Sequence, residues 1–236
     1  MHFSKLTALI AGATALVAVV APLSGARAVS IGNGGFELGS YDSSTVGGSS
    51  YDELFATSNA IQDWTVTSGS IDWIQNYWTP HSGSYSLDLN GITPGTIEQT
   101  VSGLTAGKIY DVNFWLAGNP DDSPTVKTVS VTATINQTQT YTFDITGHSR
   151  SDMGWTQETF SFLAGSSSVT LSFASTVTSN GTSNPIPAFG PALDDVSISE
   201  RVGAPAETPL PAALPLFASG LGAMGLFGWR RRRKSA

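Results

Sequence analysis

Tyr110-Asp111-Val112-Asn113-Phe114-Trp115-Leu116 is the stretch that decides the fold. Side chains along a strand alternate between faces, so Tyr110, Val112, Phe114 and Leu116 form one apolar face and Asp111, Asn113 and Trp115 the other. A helix would scatter those apolar positions around its circumference. The same period recurs where Val129, Val131, Ala133 and Ile135 alternate with Ser130, Thr132 and Thr134, and again at Val169, Leu171 and Phe173. Further strands are expected at 61–67, 70–75, 84–89, 96–101, 139–145, 157–163 and 192–199. About ten short strands with Gly- and Pro-rich joins predict an all-β chain, a β-sandwich of jelly-roll type. The Ser/Gly stretch 39–50 and the segment 176–191 read as loops. One domain over 29–200 and a linker over 201–209 account for the middle of the chain.

The charge distribution excludes whole classes of function. The chain of 236 residues has a formal charge of −7 and no cysteine, so disulfides, thiolate zinc sites and a Cys nucleophile are excluded. Its cations are concentrated at the ends: Lys5, Arg27, and the run Arg230-Arg231-Arg232-Arg233-Lys234. Between Val29 and Thr208 only four, Lys108, Lys127, Arg150 and Arg201, face all 18 acids, a local charge of −14. A field of that sign repels phosphate backbones, so no nucleic-acid partner is expected.

Both ends read as addresses. Residues 1–28 carry Lys5, an apolar run from Leu6 to Val20 and the small-residue ending Ala26-Arg27-Ala28, the layout of a secretory signal peptide cut after Ala28. The other end reads Thr208-Pro209-Leu210-Pro211-Ala212, then an uncharged run to Trp229, then the basic cluster. As a helix, 210–229 would be about 30 Å long and match a bilayer core. Basic residues after it hold the C-terminus in the cytoplasm. The order of proline motif, apolar run and basic tail over 208–236 resembles the PEP-CTERM sorting signals, in the variant built on Val-Pro-Leu-Pro-Ala, with Thr208 in place of the Val. That resemblance implies an exosortase-type membrane transpeptidase as partner, membrane contact through the C-terminal helix before processing, and the envelope or matrix of an exopolysaccharide-producing Gram-negative bacterium.

The middle carries a second resemblance. Asn33-Gly34-Gly35-Phe36-Glu37 opens it, followed by Gly69-Ser70-Ile71-Asp72-Trp73-Ile74, Tyr77-Trp78 and Ser86-Leu87-Asp88-Leu89-Asn90-Gly91. Gly118-Asn119-Pro120 and Gly190-Pro191-Ala192-Leu193-Asp194-Asp195-Val196 come later. This series resembles the choice-of-anchor C family, bacterial relatives of the plant cell-wall family called domain of unknown function 642, over about residues 30–200. The resemblance implies a galactose-binding-like jelly roll and carbohydrate association, and no known activity.

Catalytic constellations are absent from the sequence. There is no Gly-x-Ser-x-Gly elbow, no His-Glu-x-x-His helix and no P-loop. His81, between Pro80 and Ser82-Gly83, reads as a solvated loop histidine. Glycoside hydrolysis needs only two carboxylates at a suitable separation, yet no pair is marked, and the chain is read as a non-enzyme. Aromatics carry more signal, because sugar rings stack their CH-rich faces on indole or phenol while amides take the hydroxyls. Trp73, Asn76, Tyr77, Trp78, Trp115 and Asn119 are the glycan-contact candidates; Trp64, beside Val66, reads as core. The competing reading is a structural or adhesive surface protein whose aromatics only pack.

One structural calcium ion is expected as the sole cofactor. Regular alternation places Asp194 with Val196 and Ile198 on the core face. A buried carboxylate is costly unless paired, and no Lys or Arg is near it in sequence. Glu37 offers a second carboxylate if first and last segments meet, and a hard cation with oxygen ligands would relieve their repulsion.

Overall fold

The alternation of residues 110–116 is realised as β6 (Ile109–Gly118), a ten-residue strand inside one of two antiparallel sheets. The computed structural model describes residues 29–134, 136–178 and 187–201; the signal segment, nearly all of the linker and the sorting segment expected from the sequence lie outside them. Before β6 come β1 (Tyr51–Phe55), β2 (Thr65–Ser68), β3 (Ser70–Ile74), β4 (Ser86–Asp88) and β5 (Thr96–Ser102). After it come β7 (Val126–Thr132), β8 (Thr138–Asp144), β9 (Thr156–Leu163), β10 (Ser168–Ser175) and β11 (Pro191–Glu200). The described residues form no helix.

One sheet runs β1-β3-β4-β11-β6-β9 and the other β2-β5-β10-β7-β8. The two face each other through their apolar sides. Val112, Phe114 and Leu116 of β6 lie beside Phe160 and Phe162 of β9 and face Val129, Val131, Leu171 and Phe173; all are buried. Phe114 meets Phe173 and Tyr141 edge-on, each at 5.2 Å between ring centres, so one ring of the first sheet locks two strands of the second. The last strand, β11, is central: it pairs with β4 on one side and with β6 along eight positions on the other.

Two departures from the expected pattern have local causes. β1 lies just after the Ser/Gly stretch; its Asp52-Glu53 pair hides the alternation, since Asp52 turns inward beside Leu54 and takes the backbone N–H of Asp42. The strand expected at 61–67 begins only at Thr65, because Ile61 and Trp64 sit in a tight turn as buried anchors.

A third departure bears on function. Leu193 pairs with Leu116 and Asp194 with Trp115, but Ser197 pairs with Asn113, so β11 carries one extra residue between them. This bulge, with Asp195 at φ +47°, reverses the parity of everything before it. Asp194 therefore shares the outer face with Trp115, not the core face with Val196 and Ile198. It is nevertheless fully buried, so something covers the outer face there.

Candidate functional site

The cover is the segment Gln75–Tyr85, which leaves β3, crosses the outer face of the six-stranded sheet and returns as β4. Its chemistry explains its course. Trp78 folds onto the sheet and donates its indole N–H to Ser86 Oγ at 2.8 Å. Thr79 is tied to residues 150–155 twice: its N–H donates to Arg150 O and its carbonyl accepts the indole N–H of Trp155. Beyond Pro80 the strap is held by carboxylates. Asp194 Oδ2 accepts the N–H groups of His81 (2.9 Å) and Ser82 (3.2 Å). Asp195 takes His81 Nδ1 at 2.6 Å and the Ser82 hydroxyl at 2.9 Å. Glu37 Oε1 accepts the N–H groups of Ser84 and Tyr85, both at 2.9 Å. Gly83 takes φ +63°, a left-handed conformation that favours glycine, and a Cβ there would displace Glu37 Oε1.

The strap borders an open groove of about 520 Å³ lined by Gln75, Asn76, Tyr77, Trp78, Thr79, Pro80, Gly83, Ser84, Arg150 and Ser151. One end is built around Tyr77. Its hydroxyl donates to Asp121 Oδ2 and accepts from Arg150, whose guanidinium lies 3.8 Å over the phenol ring and also donates its Nε–H to Asp121 Oδ1 at 2.8 Å. Burial works to raise the Asp121 pKa, but Arg150 and Tyr77 outweigh it and hold the carboxyl below its usual range. The Tyr77 hydroxyl is pushed up, by burial and then by Asp121. Asn76 uses its amide N–H on Ser49 O and Gln75 its own on the Tyr85 hydroxyl. Neither side-chain carbonyl accepts a bond from a described residue, so the groove offers two amide acceptors, a guanidinium and hydroxyls.

The six glycan candidates thus separate. Asn76, Tyr77 and Trp78 line one groove, although only 4% of Trp78 is exposed. Trp73 is 1% exposed: it faces inward with Ile71 and donates its indole N–H to Phe36 O, so it is a core residue with no face for a ligand. Asn119 is also enclosed and serves the structure by donating to Asp88 Oδ2 at 2.8 Å. Trp115 stands on the outer face as expected, but His81 stacks on it, with ring centres 3.7 Å apart at 15°. His81 is therefore no solvated loop residue. Arg150, Asp121 and Trp155 were not singled out by sequence reasoning. Arg150 had a signal, being one of four cations in an acidic domain; Trp155 had one too, since it shares parity with Gln157 and Thr159 on the outer side of β9.

Glu37 and Asp194 do grip the same strap, but from its two halves, and each has an oxygen on which two amide hydrogens already converge. Among the described residues no group of three or more His, Asp or Glu is disposed to hold a metal ion. Asp194 is instead stabilised as a buried acid: burial, then neighbouring Asp195, raise its pKa to about 7 against the opposing pull of the amides. A row of three acids lies on the same face. Glu53, Asp72 and Asp88 stand directly opposite one another on β1, β3 and β4. Asp72, with Oδ1 buried and unpartnered, is pushed well above the usual carboxylate range by burial and then by Asp88 and Glu53. Burial likewise lifts Asp88 to about 7, although Asn119, Asn90 and Gly190 all donate to it.

The family model described as protein of unknown function (DUF642) matches residues 29–199. Over 184 residues the chain is 36% identical to Halomucin of Haloquadratum walsbyi, an alignment covering 78% of this chain and 2% of that protein. Among solved structures it is similar to the carbohydrate-binding module TmCBM61 in complex with β-1,4-galactotriose, at 17% identity, with 71% of this chain and 95% of that one covered and a TM-score of 0.38. It is also similar to the CBM22-1 xylan-binding domain of Paenibacillus barcinonensis Xyn10C, at 14% identity, 71% and 99% coverage and a TM-score of 0.39.

Proposed function

The chain belongs to the DUF642 family, and from that premise we propose that its β-sandwich is an exported, non-catalytic module that associates with uncharged polysaccharide at the cell surface or in the extracellular matrix. The observation that carries the reading is the groove in which Gln75, Asn76, Tyr77, Ser84, Arg150 and Ser151 converge. Such a rim of amide, hydroxyl and guanidinium groups beside an aromatic ring is suited to a hydroxyl-rich polymer. Charge narrows the class. Arg150 is neutralised by Asp121, and the surrounding domain is strongly acidic, so uronic-acid polymers are disfavoured. The ends complete the proposal: a signal peptide exports the chain, and an exosortase acts on Thr208–Ala212. Halomucin, whose length this chain spans only in small part, is a relative whose name fits a surface setting.

A second reading has its own observation. Trp73 and Trp78 are enclosed and Trp115 is capped, as in a structural surface domain with no glycan ligand. Affinity electrophoresis through soluble galactan, xylan and polygalacturonate separates the two. Retardation by a neutral polymer, reduced severalfold by Arg150→Ala or Tyr77→Ala, supports the groove. Identical mobility of wild type and variants in every polymer, with all of them folded, supports the structural reading.

A further inference from the structure

His81 stacks on Trp115 and is tied through Nδ1 to Asp195, so that an imidazole fills an aromatic slot on the outer face of the sheet. Trp115 of β6 pairs with Gln157 of β9, and Trp155 precedes that position by two residues on the same side of the strand. His81 lies flat on Trp115 and meets Trp155 edge-on, with ring centres 6.4 Å apart at 73°. The slot is open on one side: the His81 side chain retains 26% of its exposure. Next to it lies a flat polar strip formed by Ser197, Asn113 and Thr159 in one cross-strand row and by Ser199, Asp111 and Ser161 in the next. A floor of indole flanked by amides and hydroxyls has the composition of a sugar-stacking platform.

We propose that Trp115 and Trp155 form a second subsite for a pyranose ring of a neutral polysaccharide, and that in the free protein His81 occupies it as a displaceable internal ligand. This deepens the polysaccharide reading and rests on it. Three features make the plug removable. His81 stands in the strap Gln75–Tyr85, which belongs to no strand. The backbone of the strap is anchored through Ser82, Ser84 and Tyr85 independently of the imidazole, so the ring can swing out without releasing the loop. The ring is held by one stack and one bond to Asp195, and a sugar ring would return the stack on the same indole and offer a hydroxyl to the same carboxylate. Asp195, partly exposed beneath the strap, sets the ligand class, because it repels an acidic sugar and, once the His81 ring leaves, accepts a hydroxyl from a neutral one.

The test uses the full-length protein with His81→Ala, which empties the slot, His81→Phe, which keeps a stacking ring but not the bond to Asp195, and each combined with Trp115→Ala. Acrylamide quenching of tryptophan fluorescence reads the slot without any ligand, and affinity electrophoresis in galactan and xylan reads binding. His81→Ala should become more quenchable and bind a neutral polymer about five- to tenfold more tightly, the range expected from removing one competing stack. The gain should vanish with Trp115→Ala and be absent in His81→Phe. Increased quenching without tighter binding, in a protein whose wild-type binding responds to Arg150→Ala, overturns the second subsite while leaving the groove intact. Unchanged quenching in folded His81→Ala overturns the plug itself. If Arg150→Ala leaves binding untouched while His81→Ala still gains and Trp115→Ala cancels the gain, the groove fails and the slot stands. Binding of no neutral polymer by wild type or His81→Ala overturns both.

Discussion

Raising the pH from 5 to 8 should weaken this fold, the reverse of what paired surface carboxylates produce. Asp88 and Asp194 are both fully buried, and burial lifts each from 3.8 to about 7. Between those values the folded chain keeps protons that the unfolded chain has released, so stability is greatest on the acid side and is lost as pH rises through about 7. Between pH 5 and pH 8 the loss integrates to about 2.5 kcal/mol for each group, or about 5 kcal/mol for both. In a domain of this size that corresponds to about 10–20 °C in Tm. Lys127 adds an opposite limb. It too is fully buried, and burial lowers its pKa from 10.5 to about 8; above that value the unfolded chain holds the extra proton and stability climbs again. The expected profile has a minimum at pH 7–8. Thermal and urea melts from pH 5 to pH 10 measure it. Asp88→Asn and Asp194→Asn should each flatten the acid limb, Lys127→Met the alkaline one. Stability that rises or stays level from pH 5 to 8, or an acid limb of undiminished depth in the double Asp→Asn variant, would refute the assignment of these buried charges; Asp72, raised by burial, leaves only a residual limb.

Trp73→Ala should cost about 3–5 kcal/mol as a core truncation, whereas Trp115→Ala, on the outer face, should retain a cooperative melt with a clearly smaller loss; equal losses in urea melts would put both in the core. Calcium remains testable at Glu37 and Asp194: a bound ion must raise Tm in saturating calcium over chelator, and an unchanged melt would mark a strap held by amides alone. Intact-mass measurement of protein from its native host should show cleavage near Pro209; Arg230–Lys234 retained on most molecules would sink the sorting proposal.

The sandwich was legible because its strands alternate strictly where one face meets the core. Tyr110 to Leu116 reads the same from sequence and in space. The site was less legible, for reasons visible at single residues. In Ile71-Asp72-Trp73-Ile74 both parities contain an apolar residue, so nothing in the pattern says that Trp73 turns inward and Asp72 outward. The parity of Asp194 was misread because a bulge inserts one residue without any mark in composition, and face assignments propagate across it. His81 looked solvated because turn residues surround it; only the crossing of the strap over β6 brings it to Trp115. Arg150, Asp121 and Tyr77 come from three separate connections, and no local period links them.

The position of β11 has a mechanical consequence. The strand that leads toward the C-terminus lies between β4 and β6, and Val196 is also bonded back to Gly34 near the start of the domain. A load applied at Arg201 along the strand axis meets the β11–β6 ladder broadside, so its hydrogen bonds share the force in shear instead of opening one after another. An edge strand in that place would unzip. A domain held by its C-terminal end would thus carry tension through a central strand bonded on both sides.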